Sequence, residues 1–507
     1  MGVLRDILTY RKTVLICIIT TLGAVTSGYD LSYFSSLLVL PPFVRAYGDY
    51  NATTGTHTLP SWLLSLITSI INLGEVLGAI LSYPVGVKFG RRGGIIISCI
   101  TFLLGILIQS VAPIVALLVI GRFLLGIGIA LAAASVPLYI AECAPATLRG
   151  TLVATYQFAV GIGLILGTAT VFGMKDSNDK SGYLIPMTIQ AVLPVGLIIA
   201  CLTMVPESPR WLAEKGRIDM ARKALHRLAN KDDATVNDDL DAIVATIEHQ
   251  EKGHWRELLS GPETRKMMLG IGMAGWSQAS GINFVVSYGG VILTSIGGID
   301  PYVANFALYC TALPVILLAQ YLLERVGRRK VLMFSMTCIG CINVLDGGFG
   351  LAKKSAGVNN GAIALFFLFY IAFNLGLGTT IWVSFAEMSV GRNRSLLMSI
   401  STAFVWFFSW VVSFTFPYLY NPDSSNLGAK IGFIYGALMF MGSIWVFFLL
   451  PETAGRSLEE IDTMFALKVP ARKFATFTCP SYQDPQGTKF ETKSKNGNVV
   501  IETVVDC

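Results

Sequence analysis

The sequence predicts an all-α polytopic membrane protein with twelve transmembrane helices in two six-helix repeats. Three observations carry that prediction. Of its 507 residues, 53% are hydrophobic and 14% charged, with a mean hydropathy of +0.62; a soluble chain would be about one-quarter charged. The apolar residues come in blocks of about 20, the length a helix needs to cross a bilayer. Charged motifs at the block ends recur in the same order in both halves, at an offset of about 240 residues.

The blocks lie near 13–36, 61–84, 94–113, 115–139, 151–173, 184–205, 267–292, 302–323, 331–352, 361–386, 396–418 and 429–450. The first follows Arg11-Lys12 and lacks a clear cleavage site, so it reads as a retained helix rather than a signal peptide. The segment from Pro206 to Lys266 is too polar to be buried. Its runs RIDMARKALHRLA and DLDAIVATIEHQ each have helical periodicity and one apolar face, as amphipathic helices at a membrane surface do. After Pro451 the chain turns polar, and from about Lys473 its Lys, Thr, Ser and Asn content predicts disorder. The expected plan is a six-helix half over 1–205, a cytoplasmic linker over 206–266, a second half over 267–450 and a cytoplasmic tail over 451–507.

Orientation follows from the short loops. Lys88, Arg91, Arg92, Arg149, Arg325, Arg328, Arg329, Lys330, Arg392 and Arg394 share one side, against Arg45, Lys175, Lys180, Lys353, Lys354 and Lys430 on the other. The richer side is expected to be cytoplasmic, with both termini and the linker. Asn51-Ala52-Thr53, a glycosylation sequon, then lies outside; use of the site stays open. The cysteines fall mostly in apolar blocks, so no disulfide framework is expected.

The repeat is specific. Gly90-Arg91-Arg92 follows the second block and Gly327-Arg328-Arg329 the eighth. Glu142 with Arg149 closes the fourth, and Glu387 with Arg394 closes the tenth. Pro206-Glu207 ends the sixth, and Pro451-Glu452 ends the twelfth. Parallel six-helix repeats are a transporter arrangement, with substrate bound between the halves near midplane. A net charge of +6 is no argument for nucleic acid, and neither a Walker A motif nor a metal or triad constellation is present. No enzyme, cofactor or metal is expected; the expected partners are a small molecule and the bilayer.

The stretch WSQASGINFVVSYGG, from Trp276 to Gly290, sets amides and hydroxyls inside an apolar block. Such groups face protein or a wet cavity rather than lipid. Gln278, Asn283 and Tyr288 make a surface for a hydroxyl-rich ligand, or bond neighbouring helices only. Asp30, Glu75 and Arg122 are intramembrane ions, and lone charges there are costly enough that pairing is expected.

Residues 137–150 read PLYIAECAPATLRG, 206–212 PESPRWL, 280–283 SGIN, 324–329 ERVGRR and 451–462 PETAGRSLEEID. Together they resemble the sugar porter family of the major facilitator superfamily, over roughly residues 15 to 465, with a fungal character. The resemblance implies the major facilitator fold, alternating access, a plasma-membrane location and a sugar substrate, a hexose or else a disaccharide, pentose, polyol or quinate. It implies sugar-binding roles for Gln157, Gln278 and Asn283, and a place near the outer gate for Tyr288. Phe373, Asn374, Gly378 and Trp382 would line the tenth helix, with Trp406 behind. Arg91, Arg92, Glu142, Arg149 and Glu207, with Glu324, Arg328, Arg329, Glu387, Arg394 and Glu452, would form a cytoplasmic charge latch between the halves. Asp30 and Arg122 would carry proton coupling, although facilitators have this aspartate too. Glu75 is not a usual family feature, and structural and coupling roles both stand.

Departures from the family pattern matter as well. Val87 replaces an acid, Ser277 a glutamine, Gly161 a threonine and Ala312 an asparagine. Leu377, Thr379 and Ile381 replace prolines. A site with fewer hydrogen-bonding groups and more room is expected. A sugar sensor without flux remains the alternative of another class.

Overall fold

The computed structural model describes residues 9–51, 55–145, 148–228, 233–248, 255–259, 261–353, 355–477, 479, 489–495 and 498–504. Eleven of its helices are long and apolar enough to cross a membrane: Arg11–Leu37, Ser61–Ser110, Val115–Cys143, Gly150–Gly173, Ser181–Thr203, Gly261–Ile296, Pro301–Leu323, Arg328–Phe349, Ala356–Met388, Leu396–Tyr420 and Gly428–Leu449. Ser61–Ser110 is 50 residues long. At 1.5 Å per residue that is roughly 75 Å, more than twice the thickness of the hydrocarbon. It breaks at Gly90, with φ 81° and ψ −175°, so it makes two spans and the described residues hold twelve.

The break has a counterpart. Gly327, with φ 98° and ψ 157°, alone separates the eighth span from the ninth. A Cβ at Gly90 would collide with the Glu207 carboxylate, and one at Gly327 with that of Glu452. Each Gly-Arg-Arg run is thus a one-residue corner, left-handed and capped by an acid, where only glycine fits. The sequence reading leaves short loops at these two places; the structure joins the helices end to end.

Packing obeys the repeat. The first span packs on the fifth as the seventh packs on the eleventh, and the third packs on the sixth as the ninth packs on the twelfth. Between the halves, the second span meets the eleventh, the fifth meets the eighth and the first meets the seventh. These pairs exchange under a two-fold relation between the halves.

The hydrogen bonds described between the halves lie on the side opposite the Gly90 and Gly327 corners. Ser61 donates to Asp423, Ser65 to the Phe414 carbonyl at 2.5 Å and Asn72 to Ser413 at 3.2 Å. Asn305 donates to Ser35 and Ser36 at 3.2 and 3.0 Å, and Lys175 pairs with Asp300 at 2.7 Å. An apolar plug holding Tyr33, Phe34, Tyr288 and Phe416 spans both halves on the same side. The molecule is therefore closed on the face away from the basic corners.

The linker forms short helices at Pro209–Glu214, Ile218–Leu228 and Asp233–Glu248. They dock on the first half: Thr13 donates to the Leu228 carbonyl at 2.6 Å, and the Trp211 indole to the Val87 carbonyl at 3.3 Å. The tail carries more order than its composition predicts. A helix at Leu458–Ala466 starts with a Ser457–Glu460 capping box, and buried Lys266 binds Glu263 and Asp462, each at 2.6 Å. Phe474 is buried, and Lys489–Lys495 pairs antiparallel with Asn498–Val504. Local signals offset the polar composition here: Ser457 and Glu460 suit a cap, and β-branched residues are dense from Val499 to Val504. Asn51 ends a short strand, Asp49–Asn51; Ala52 and Thr53 of its sequon lie outside the described residues.

Candidate functional site

The seventh span is two helices, Gly261–Gln278 and Ile282–Ile296, joined through Gly281 at φ 87°. A break inside a membrane frees backbone groups that need partners. Ser280 supplies one, donating to the Ser277 carbonyl at 2.6 Å and accepting from the Ile282 N–H at 3.2 Å. Asn343 of the ninth span donates to the Ser280 carbonyl at 3.2 Å. Gln278 and Asn283 flank the break. Asn283 donates to Gln278 at 3.3 Å, and to the Ser409 carbonyl and hydroxyl at 3.0 and 2.9 Å. Gln278 donates to Ser277 at 3.2 Å. Among the described residues the Asn283 side-chain carbonyl has no hydrogen bond, which leaves it available as an acceptor. Tyr288 is fully buried in the plug; its hydroxyl donates to the Ser413 carbonyl at 2.6 Å, and its ring lies 4.9 Å from Phe416.

The tenth span is also interrupted. A π-helical turn, Phe373–Leu377, lies between Ala356–Ala372 and Gly378–Met388. Such turns misalign the backbone ladder. Ser335 of the ninth span meets the misalignment from both sides, donating to the Ala372 carbonyl at 2.8 Å and accepting from the Leu377 N–H at 3.1 Å. The span is thus broken without the prolines that Leu377, Thr379 and Ile381 replace. Asn374 lies in the turn and donates to the Tyr370 carbonyl at 2.9 Å. Phe373 is half-buried, and its ring packs where a Cβ on Gly378 would stand. Trp382 is half-buried and edge-on to Phe385 at 6.0 Å. Trp406 packs against the same core, and its indole N–H is buried without a partner.

Gln157 lies half-buried on the fifth span, with no hydrogen bond among the described residues. It shares a helix face with Gly161 and Leu164, four and seven residues on. Gly161 abuts Leu313 of the eighth span, and Leu164 joins the core of the second half. Gln157 therefore faces the second half. The room expected at Gly161 is absent: Leu313 occupies the place a β-carbon would take. Ala312 is likewise buried.

Asp30 and Arg122 meet as expected, with Nη1 at 3.2 and 3.3 Å from the two carboxylate oxygens. Both are almost wholly buried, and the guanidinium lies 3.6 Å above the Phe34 ring. A desolvated pair of this kind costs about 3–5 kcal/mol to break by removing one partner. Glu75 is fully buried, and neither of its oxygens has a hydrogen bond.

At the basic corners the charges pair within each half rather than across the cleft. Arg91 binds Glu142 at 2.8 Å and Arg328 binds Glu387 at 2.6 Å. Glu207 accepts from the Arg91 and Arg92 backbone N–H groups at 2.9 and 3.0 Å; Glu452 accepts from those of Arg328 and Arg329 at 2.9 and 3.1 Å. These are two internal clasps; a latch between the halves is expected only when the basic face is closed. The Glu142 and Glu387 oxygens are taken up by the arginine of their own half and by Ser208 or Thr453. Arg394 is exposed at the start of the eleventh span. The side chains of Arg149 and Glu324 lie outside the described residues. Sequence reasoning missed Ser335 and Ser409. A lone serine in an apolar helix carries no signal, because the break it serves lies on another helix.

Residues 16–465 match the family model described as "Sugar (and other) transporter". "Major facilitator-type transporter ecdD" of Aspergillus rugulosus is 30% identical over 87% of this chain and 85% of its own length. In Saccharomyces cerevisiae, "Low-affinity glucose transporter HXT1" is 30% identical over 92% and 84%. "High glucose sensor RGT2" is 31% identical over 89% of this chain, which spans 60% of the sensor's length. Among solved structures, the proton:xylose symporter XylE bound to 6-bromo-6-deoxy-D-glucose superposes with a TM-score of 0.74. It is 22% identical and covers 90% of this chain and 100% of the symporter.

Proposed function

The chain belongs to the family of sugar (and other) transporters, multi-pass membrane proteins that are not enzymes, and on that premise we propose that it moves a hexose by proton-coupled alternating access. The observation that carries the reading is the broken seventh span, which holds Gln278 and Asn283 in place and leaves the Asn283 carbonyl unbonded. Amides donate to and accept from sugar hydroxyls, and Gln157 offers a further amide from the other half. Trp382 and Phe373 supply apolar faces for the C–H side of a pyranose, with Asn374 and Gly378 on the same turn and Trp406 behind. Two of the fungal relatives are named for glucose, which favours a hexose over a pentose, disaccharide, polyol or quinate.

The corners at Gly90 and Gly327 face the cytoplasm in this reading, as the basic loops require. The structure is then closed to the outside, at a plasma membrane, with Tyr288 in the closed gate. The internal clasps at Arg91–Glu142 and Arg328–Glu387 keep each half rigid, and in the opposite state the latch forms between them. Asp30 takes the proton and releases Arg122.

The test is uptake of a panel of labelled sugars in a transporter-null host, with and without a pH gradient. Hexose uptake that collapses with a protonophore is expected. Uptake indifferent to the protonophore would make this a facilitator. Sugar binding without flux would make it a sensor.

A further inference from the structure

Glu75 has no place in the pair just described, yet it lies beside it. Gly74 and Gly78 of the second span press against the backbone of Phe123, Gly126 and Ile127 on the fourth span. Glu75, beside Gly74 at this seam, is fully buried. Arg122 stands one turn before Gly126, on the same helix face. The seam therefore holds two unmet groups: both oxygens of Glu75, and the buried Nε–H of Arg122. One is an acceptor and the other a donor, and each is costly to leave unpaired in a dry interior.

The charges make the same point. Asp30 on the first span and Arg122 on the fourth act on Glu75 electrostatically, and Glu75 in turn acts on Tyr156 of the fifth. The eleventh span also packs on the second, and its sequence carries no charge beyond Arg394. One guanidinium cannot neutralise two carboxylates at once.

We propose that Glu75 is a second proton-binding site that shares Arg122 with Asp30. In this state Asp30 is ionised and holds Arg122, and Glu75 carries the proton. When that proton moves to Asp30, the Arg122–Asp30 bond breaks and Arg122 Nε–H binds the ionised Glu75. One proton changes place and the net charge of the cluster stays zero. The arginine thereby keeps a partner while Asp30 is neutral, which the proposed proton coupling requires and on which this inference builds.

The test uses infrared spectroscopy of the purified full-length protein in lipid, following the carbonyl stretch of a protonated carboxylic acid during pH titration. Wild type should show a buried acid at neutral pH, absent in Glu75→Gln. In Asp30→Asn the band should vanish at neutral pH and titrate about one unit or more lower, a tenfold change in proton affinity, because Arg122 then serves Glu75. A neutral-pH band unchanged in Glu75→Gln, or absent from wild type, overturns the proposal, and absence from the wild type does so even if a variant does not fold. Sugar uptake is measured separately: no uptake of any sugar would sink the transport reading while the spectra still decide on Glu75.

Discussion

The two halves have the same six-helix plan and use the middle of the membrane differently. In the second half, the seventh and tenth spans are interrupted at mid-depth, at Gly281 and at the Phe373–Leu377 turn, and neutral amides flank or occupy both breaks. In the first half, the first span only bends at Thr21, which keeps right-handed angles, and the fourth runs unbroken from Val115 to Cys143. Beside neutral amides such as Asn72 and Gln157, this half buries three ionisable groups, Asp30, Arg122 and Glu75. The difference follows from what each kind of group needs. A charge pair must be dry and rigidly placed to be both stable and switchable. A neutral polyol needs many weak donors and acceptors on backbone that can adjust. In the proposed reading the first half holds the proton, and the second half supplies most of the sugar's amides, with Gln157 added from the first.

The sharpest way to break that division is to remove an amide. Asn283→Ala is expected to lower uptake at low sugar concentration about tenfold to a hundredfold, the ~1.4–2.8 kcal/mol of one or two good hydrogen bonds. Gln157→Ala, from the opposite half, should act in the same direction. Unchanged uptake in both would mean that neither amide meets the sugar.

Asp30→Asn should produce a different defect. Accumulation against a gradient should be lost, while counterflow exchange of sugar across proteoliposomes persists. Loss of exchange and accumulation alike would place Asp30 in the sugar site and erase the division between the halves.

Ser335→Ala probes the tenth-span turn. It removes one donor and one acceptor from a misaligned ladder, so Tm should fall with a loss of about 1–3 kcal/mol. Sugar affinity should fall with it, because Asn374 rides on the turn. A variant with wild-type affinity would show that the turn is structural only.

What was legible in advance divides along the same line. The twelve spans, the repeat and the pairing of Asp30 with Arg122 follow from hydropathy, matched motifs and the cost of a lone charge, all readable along one chain. The tenth-span break was not, because its expected marker, proline, is absent and the π-turn rests on Ser335 of a neighbouring helix. The same holds for Gly161, which reads as free space until Leu313 is seen to fill it. The clasps at Glu142 and Glu387 were legible as Arg–Glu pairs, but which half supplies the partner depends on the face on which the molecule is closed.

The smallest effect is expected where the halves meet by charge at the closed face. Lys175 and Asp300 are solvent-accessible, so their pair is screened and weak. Partial burial works against the Asp300 carboxylate, yet the Lys175 ammonium and the Tyr302 and Val303 N–H groups hold it below the usual carboxylate range. The hydrogen bond to Asp300 raises the Lys175 ammonium in turn, against a smaller burial penalty. A depressed carboxylate helps closure above its ordinary value, and its help is lost as pH falls through the lowered one. A raised lysine helps below its ordinary value and is lost only at high pH. The pair therefore favours closure across neutral pH and gives way on strong acidification. Lys175→Ala should ease opening on that face, lowering the half-saturation constant for sugar from that side by less than about threefold at neutral pH. The difference from wild type should shrink as the medium is acidified. A change of tenfold or more would mean that closure depends on this exposed pair rather than on the Tyr288–Phe416 plug.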